Sequence, residues 1–224
     1  RHAVHNPNAR FTKEFGPDDV ANSPVVSDPL RLLEICTTSD GGAALVVASM
    51  DYARSHGVTD PVRVAGISLV TPTYPDPVID LPYLATDSSS AVVPAEKGFK
   101  ESIGAQMYAE SGLGPEDVDL AEVYDLSSAM ELDWYEQLGL CKEGEAEGLL
   151  RAGDTSIGGR IPVNPSGGLG AFGEAVPAQA LAQVCELTWQ VRGEAGRRQV
   201  EGARIGISAN QGLFGHGSGV LVRR

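Results

Sequence analysis

A glycine-rich segment that leads directly into a long helical pattern constrains this chain more than any other feature of its sequence. Both lie within residues Asn164–Gln190. Glycines permit tight backbone turns there, because a Cβ atom would exclude many of the required conformations. They are Gly167, Gly168, Gly170 and Gly173. Pro177 suits the first turn of a helix, where its missing N–H group costs nothing, so we expect a helix from Pro177 onward.

Residues suited to burial recur at three- and four-residue spacing along this predicted helix, and little charge interrupts them before Arg192. The repeat consists of Val176, Ala180, Leu181, Val184, Leu187, Thr188 and Val191. Such a pattern predicts a mostly buried helix. A buried helix whose amino-terminal end opens on a glycine loop is a place where a carbonyl oxygen or a phosphate can bind.

The charge balance argues against two classes of partner. The 224 residues carry a formal net charge of −13, and the isoelectric point is about 4.6. Nucleic acids and anionic membranes both require a basic surface. No stretch approaches the length of a membrane span, and no signal peptide is visible. We therefore expect a cytoplasmic protein with neither nucleic-acid nor membrane partners.

The three cysteines predict no special chemistry. Cys36, Cys141 and Cys185 do not form the pattern of a disulfide framework. Free cysteines usually behave as small apolar residues, so we expect none of them to be a nucleophile. No spacing of cysteine and histidine suits a metal, and we predict no metal site.

Hydrophobic patterning along the rest of the chain alternates between short strands and helices. Strands are predicted at 43–48, 62–70, 118–124, 203–209 and 219–223, and further helices at 50–56, 96–111, 127–138 and 145–151. The sequence predicts loops at 1–29, 71–94 and 210–218, the second of them covering a pocket. This alternation predicts an α/β layered domain.

Several segments together resemble one known family. They are LGLC (Leu138–Cys141), GDTSIGGRIPVNPSGG (Gly153–Gly168) and QVRGEAGRRQVEGAR (Gln190–Arg204), in that order. The set resembles the C-terminal part of thiolases, in the branch of sterol carrier protein x and the lipid-transfer proteins. The resemblance implies a layered αβαβα fold with a mixed sheet and two similar halves. Residues 1–57 would then be a loop segment with the last strand and helix of the first half, and 58–224 the second half. The chain would be the C-terminal part of a longer polypeptide or a cleavage product.

The resemblance also locates the catalytic loops, and this chain departs from the family at three of them. Tyr124 stands where the family has histidine or asparagine, Glu174 where a Gly-His-Pro loop has histidine, and Asn210 where a loop has cysteine. The usual nucleophilic cysteine belongs to the first half. These departures argue against ordinary thiolase chemistry. We hypothesise that Glu174 is a general base or carboxylate anchor, Tyr124 a proton donor and Asn210 a polar orienting group; alternatively, they only hydrogen-bond locally in a site that has lost its activity.

Further residues are candidates for the same site. His216 could replace the lost histidine, or it could hydrogen-bond to loop backbone. The residues predicted to bind substrate are Asp125, Ser166, Gly167, Gly168 and Gly212. A basic patch for coenzyme A could come from Arg160, Arg192, Arg197 and Arg198, or these could be solvated helix ends. His2 and His5 look like surface residues, although the family has a similar histidine- and asparagine-rich string there.

The resemblance implies an acyl-CoA acyltransferase, similar to acetyl-CoA acetyltransferases, that forms or cleaves a carbon–carbon bond next to the thioester in lipid or steroid metabolism. Coenzyme A would be a substrate or product, with no permanently bound cofactor. The implied partners are a second copy in a homodimer, the other thiolase half and a small acyl-CoA-binding protein. Two alternatives stay open: a non-catalytic acyl-CoA or lipid carrier or scaffold subunit, and a retro-aldolase of the thiolase fold.

Overall fold

A four-stranded mixed sheet is the centre of the structure, a computed structural model that describes residues 1–71, 99–212 and 216–224. The strand order is β3-β6-β5-β4, with β6 antiparallel to both of its neighbours and β5 parallel to β4. These strands are β3 (Arg63–Val70), β4 (Leu120–Val123), β5 (Ile205–Gln211) and β6 (Gly217–Arg223). A small antiparallel pair, β1 (Val25–Ser27) and β2 (Leu30–Arg31), lies near the start of the chain.

Helices cover both faces of the sheet. They are α1 (Pro17–Ala21), α2 (Met50–Ser55), α3 (Phe99–Ser111), α4 (Ser128–Gln137), α5 (Ala146–Arg151), α6 (Gly168–Phe172) and α7 (Ala178–Arg192). Leu187 of α7 packs in one apolar cluster with Leu120, while Ile103 of α3 and Trp134 of α4 pack in another with Ala121. The side chains of β4 therefore alternate between two buried layers, and the α/β layered prediction is confirmed.

Glycine allows α3 to lie unusually close to the sheet. A Cβ atom on Gly66 in β3 would stand 2.5 Å from the Met107 carbonyl oxygen of α3. A Cβ atom on Gly219 in β6 would stand 2.4 Å from the Met107 methyl carbon. Both distances are below any normal contact, so a larger residue at position 66 would force the helix outward, whereas one at position 219 would displace the Met107 side chain.

Most of the predicted elements are present, with shifted ends. The predicted strands at 62–70, 118–124, 203–209 and 219–223 correspond to β3 to β6, and the helices at 50–56, 127–138 and 145–151 to α2, α4 and α5. The predicted loop at 71–94 lies outside the described residues except for Thr71, and the helix predicted at 96–111 is described from Phe99 onward. Residues 210–211 and 217–218, predicted as part of a hinge, belong to β5 and β6.

Two predictions about the first 57 residues are wrong. Residues 43–48 are not a buried strand: Val46 is 100% exposed and Val47 79% exposed, and in the described part of the chain no strand pairs with them. An apolar run becomes a strand only when a neighbour accepts its backbone hydrogen bonds. Residues 1–29 are not simply extended, because they contain a 3-10 turn at His2–His5, then α1 and β1.

The long helix α7 is present, but its burial differs from the prediction. Val184, Leu187 and Val191 are buried as expected, whereas Leu181 and Trp189 are exposed. Three polar residues take part of the buried face instead: Gln183, Glu186 and Gln190. Each finds a hydrogen-bond partner there, which removes most of the cost of burying a polar group. The short helix α6 inside the glycine loop is a further departure, since only turns were expected.

Candidate active site

Tyr124 and Glu174, on two of the predicted catalytic loops, are brought together. The Tyr124 hydroxyl donates a hydrogen bond to Glu174 Oε1. Tyr124 directly follows β4, and its carbonyl oxygen accepts a hydrogen bond of 3.0 Å from the Trp134 indole of α4. Glu174 follows α6, where its backbone N–H donates to the Thr37 carbonyl at 2.7 Å and its carbonyl accepts from Ser39 at 3.0 Å. Both residues are therefore fixed by backbone contacts as well as by each other.

The environment of Tyr124 keeps its hydroxyl protonated. Burial raises the pKa of Tyr124 well above that of a free tyrosine, and the hydrogen bond to Glu174 and the charge of that carboxylate raise it further. A protonated phenol can give a proton, and an ionised carboxylate can accept one. The two side chains, which we call the acid–base pair, therefore have the functional groups for proton transfer to and from a substrate.

Cys36 lies within electrostatic reach of the acid–base pair. Its N–H donates to the Leu126 carbonyl at 2.9 Å, and a backbone bridge joins Ile35 to Ser127. Burial raises the pKa of Cys36 to about 11, and the charges of Glu174 and Asp125 contribute. Nothing in the local sequence marks Cys36, because its position depends on pairing with a segment about ninety residues further along the chain.

The raised pKa of Cys36 predicts a slow, pH-dependent alkylation. Only the thiolate reacts, so at pH 8 iodoacetamide should modify Cys36 about a hundredfold more slowly than a thiol with a pKa near 9. The rate should rise about tenfold per pH unit up to pH 11. Replacing Glu174 with glutamine removes one cause of the shift, so the rate at pH 8 should increase several-fold. The measurement uses the protein with Cys141 and Cys185 changed to serine; a rate equal to that of the urea-unfolded protein would contradict the expected burial effect.

The carboxylate of Asp125 holds the glycine loop rather than facing open space. It accepts hydrogen bonds from the N–H groups of Leu169, at 2.6 Å, and Gly170, at 3.1 Å. Gly168 adopts a positive φ of 66°, and a Cβ atom there would stand 2.3 Å from Asp125 Oδ2. Burial raises the pKa of Asp125, the charge of Glu131 adds to that effect, and the two N–H donors oppose it. The predicted substrate contact of Asp125 stays a prediction.

A second buried carboxylate, Glu122 of β4, anchors the same loop. Its two oxygens accept hydrogen bonds from the Ser166 N–H at 3.0 Å and the Ser166 hydroxyl at 2.7 Å. The Ser166 hydroxyl in turn accepts from the Gly168 N–H at 3.1 Å, and Gly167 donates to the Asn164 carbonyl at 2.9 Å. Burial is the main cause of the raised pKa of Glu122. The sequence analysis missed Glu122, although a carboxylate among the apolar residues of the predicted strand 118–124 was a visible signal.

The amide groups of the glycine loop are thus already occupied. Each N–H group from Ser166 to Gly170 donates to Glu122, Asp125, Asn164 or Ser166. Substrate binding by Ser166, Gly167 and Gly168 stays a prediction, and any such contact would have to use other atoms of these residues or compete with these bonds.

Asn210 lies in β5 near the end of β4, which Tyr124 follows, but its side chain contacts neither Tyr124 nor Glu174 by a hydrogen bond among the described residues. Val123 pairs with Ala209 in the parallel ladder, so Tyr124 and Asn210 occupy the next positions of neighbouring strands. Asn210 is buried, and its Nδ2 atom donates to Gln183 Oε1 of α7. The topology therefore brings the third predicted loop to the same edge of the sheet as the acid–base pair.

His216 is not brought into this cluster within the described residues. It is exposed, and its carbonyl oxygen accepts a hydrogen bond from the Gly212 N–H. His2, in contrast, is not the surface residue that we expected. Its Nδ1 lies 2.9 Å from the Asn164 carbonyl, its Nε2 accepts from the Ile157 N–H at 3.2 Å, and burial lowers its pKa. His2 therefore helps to fix the segment that precedes the glycine loop.

A cavity of about 680 Å³ opens between residues 39–44 and helix α7. Its wall includes Glu122, Ser166 and Gly173, the residue that precedes Glu174. Gln183 and Trp189 of α7 line the other side. The volume lies within the range of small-molecule sites, and Gly173 brings the cavity wall to within one residue of Glu174 along the chain.

One of the four arginines predicted to form a basic patch for coenzyme A is not available for that role. Arg198 is buried in an ion pair with Glu186, with an Nη2–Oε2 distance of 2.8 Å, so its charge is already neutralised. Arg160 donates to the Leu140 carbonyl at 3.0 Å and lies 3.8 Å from Asp154, while Arg192 and Arg197 are exposed. Within residues 1–71, 99–212 and 216–224, the side chains form no cluster suited to a metal, and no helix is long and apolar enough to cross a membrane.

Comparison with known proteins identifies the class. Residues 87–223 match the family described as "Thiolase C-terminal domain-like". The chain belongs to this thiolase family, which confirms the resemblance and the thiolase-like fold.

Individual relatives are of more than one kind. The chain is 40% identical to sterol carrier protein 2 of Rattus norvegicus, over all of this chain and 39% of that protein. It is 39% identical to an acetyl-CoA acetyltransferase of Methanothermobacter thermautotrophicus, over 98% of this chain and 54% of that protein. A solved structure of an "Ltp2-ChsH2(DUF35) aldolase" superposes with a TM-score of 0.78 at 30% identity, covering 99% of this chain and 55% of that one. The chain thus spans about two fifths to just over half of these proteins.

Proposed function

We propose that this chain supplies the acid–base pair of a thiolase-fold enzyme that breaks or forms a carbon–carbon bond next to a coenzyme A thioester by aldol chemistry. In the cleavage direction, a 3-hydroxyacyl-CoA would give a ketone or aldehyde and a shorter acyl-CoA. The observation that carries the proposal is the hydrogen bond from the Tyr124 hydroxyl to the Glu174 carboxylate.

The acid–base pair can move every proton that this reaction requires. Glu174 takes the proton of the substrate hydroxyl, whose oxygen becomes the carbonyl of the first product. The bond between carbons 2 and 3 breaks, and its electron pair stays on carbon 2 as a thioester enolate. Tyr124 gives its proton to carbon 2, and Glu174 returns its proton to Tyr124 through their hydrogen bond. Atoms and electrons balance without a redox step, and the pair ends in its starting state.

We choose aldol chemistry over acyl transfer as the proposed reaction, although the thiols of this chain are compatible with both because the nucleophilic cysteine of the family belongs to the first half. Acyl transfer needs an activated nucleophile to hold the acyl group. Burial raises the pKa of Cys36, Cys141 and Cys185, so all three resist forming the thiolate. An acyltransferase reaction would need a nucleophile from outside these 224 residues, whereas retro-aldol cleavage needs none. The name of the solved relative, an aldolase, supports the same choice.

The assembly in this proposal contains a second copy of the protein and a small acyl-CoA-binding protein. The name of the solved aldolase gives two components, Ltp2 and ChsH2, which supports a second protein. The names of the sterol carrier protein and acetyl-CoA acetyltransferase relatives support a lipid or steroid acyl-CoA as substrate. Coenzyme A is then part of the substrate and product, and the enzyme acts in the cytoplasm.

The test is a comparison of two substrates with the full-length protein. We expect a 3-hydroxyacyl-CoA to give a carbonyl product and a shorter acyl-CoA, detected by mass spectrometry, without added coenzyme A. A 3-oxoacyl-CoA with free coenzyme A should give no product. Cleavage of the 3-oxoacyl-CoA alone would mean that the protein is a thiolase-type acyltransferase. Binding of acyl-CoA with no product from either substrate would mean that it is a carrier.

A further inference from the structure

Two buried side-chain amides meet beside the cavity. Gln183 projects from α7 and is 4% exposed, and Asn210 projects from β5 and is 7% exposed. Asn210 Nδ2 donates to Gln183 Oε1. We call these two side chains the amide pair.

The amide pair retains one donor and one acceptor that the described residues do not use. Gln183 Nε2 and Asn210 Oδ1 are both buried without a hydrogen-bond partner. The result does not depend on how the amides are oriented, because one bond between two amides always leaves one NH₂ group and one carbonyl unpaired. Buried polar groups are nearly always hydrogen-bonded, so such a set within a site indicates a missing partner.

The position of the amide pair links it to substrate binding. Gln183 lines the cavity together with Gln179, whose Oε1 atom, one helical turn earlier, is also unpaired. Asn210 directly follows Ala209, the ladder partner of Val123, and Tyr124 directly follows Val123. The amide pair therefore has one member on the cavity wall and the other at the end of the sheet where Tyr124 lies.

We infer that the amide pair is a recognition site for a hydroxyl group of the substrate. This inference rests on the proposed function and names the feature that selects its substrate. A hydroxyl both donates and accepts, so in the bound complex it satisfies Asn210 Oδ1 and Gln183 Nε2 together, and it leaves Asn210 for Glu174 only when its proton is transferred. A 3-oxo group can only accept, and a saturated chain can do neither, so each leaves a buried polar atom unpaired. The site therefore prefers a 3-hydroxyacyl chain over both.

The experiment compares the binding of two ligands that differ by one hydroxyl, 3-hydroxyoctanoyl-CoA and octanoyl-CoA. Calorimetry on full-length Glu174→Gln protein avoids consumption of the ligand. We expect the hydroxylated ligand to bind about 10- to 30-fold more tightly, which corresponds to two ordinary hydrogen bonds. Methionine is similar in size to glutamine but has no amide. Adding Gln183→Met should therefore bring the affinities for the two ligands to within about twofold of each other and leave octanoyl-CoA binding nearly unchanged.

Two further variants make the result specific. Gln137→Met changes a glutamine of α4 that is bonded to Asp133, and it should keep the full preference. Asn210→Leu should lose the preference for the hydroxylated ligand, as Gln183→Met does. It provides the test of the amide pair if circular dichroism shows that Gln183→Met does not fold. Two results would overturn the inference and mean that the amides bind only water. One is that the Glu174→Gln protein binds the two ligands with nearly equal affinity; the other is that its preference for the hydroxylated ligand persists after the amide substitutions.

Failure of the inference can be told apart from failure of the proposed function. A protein that cleaves 3-hydroxyacyl-CoA but binds both ligands equally would keep the function and lose the hydroxyl site. A protein that prefers the hydroxylated ligand but cleaves nothing would keep the site and lose the aldol chemistry.

Discussion

Replacing Glu174 with glutamine lowers the turnover of a 3-hydroxyacyl-CoA by about 10²- to 10⁴-fold, the usual contribution of one general acid–base group. Glutamine keeps the shape of the side chain, and its carbonyl can still accept the hydrogen bond from Tyr124, but it cannot take a proton from the substrate. The backbone contacts of Glu174 with Thr37 and Ser39 do not involve the side chain. We therefore expect the fold to be retained and the loss to be confined to the rate.

The measurement is kcat and KM for the full-length protein, with circular dichroism as the check on folding. Tyr124→Phe should cause a loss of similar size, and the double variant should be little worse than either single one, because the two groups act as a unit. Glu147→Gln is the matched control, since Glu147 lies on the exposed face of α5 in an ion pair with Arg151. Turnover unchanged in Glu174→Gln would remove this carboxylate from the mechanism.

The second large effect is on stability. Changing Arg198 to methionine should lower the free energy of unfolding by about 3–5 kcal/mol, because it leaves the buried carboxylate of Glu186 without its counter-charge. Arg198 Nε lies 2.8 and 2.9 Å from the two oxygens of Glu186. Gln190 joins them: its amide donates to Glu186 Oε1 and to the Arg198 carbonyl, each at 2.9 Å. The change therefore disrupts a connected network rather than one contact.

Urea unfolding measures this loss, provided that the slope with denaturant is unchanged. The double variant Glu186→Leu/Arg198→Met should recover most of the lost stability, since it removes both charges from the interior. Arg151→Met breaks the exposed pair with Glu147 and should cost at most about 1 kcal/mol. If Arg198→Met cost no more than that control, the buried pair would not have the importance that its geometry suggests.

Local patterns predicted the strands β3 to β6 and helix α7 because each is stabilised mainly by an apolar face, which periodicity reports directly. The same pattern was wrong for residues 43–48, because an apolar run does not tell whether a strand lies beside it. The hydrophobic pattern also could not predict the burial of Gln183, Glu186 and Gln190. That burial depends on partners from Arg198 and Asn210, which only the folded chain brings near.

For the site, the family resemblance placed Tyr124, Glu174 and Asn210 on neighbouring loops, and the structure pairs the first two. The family resemblance could not show that Asn210 forms a hydrogen bond with Gln183, since the family loops contain no information about α7. Cys36 was missed because its proximity to Glu174 depends on backbone bridges that join Thr38 to Glu174 and Ile35 to Ser127. The division of the chain near residue 57 and the contacts of His216 with substrate stay predictions.

The carboxylates of Glu122 and Asp125 hold the glycine loop mainly by hydrogen bonds to its backbone amides, and this has an evolutionary consequence. A framework held by main-chain atoms does not depend on the side chains that the loop displays. Glu174, which directly follows this loop, can therefore be exchanged during divergence while the scaffold that presents it stays in register. Grafting histidine at position 174 would test how far an ancestral chemistry can be restored without rebuilding the frame.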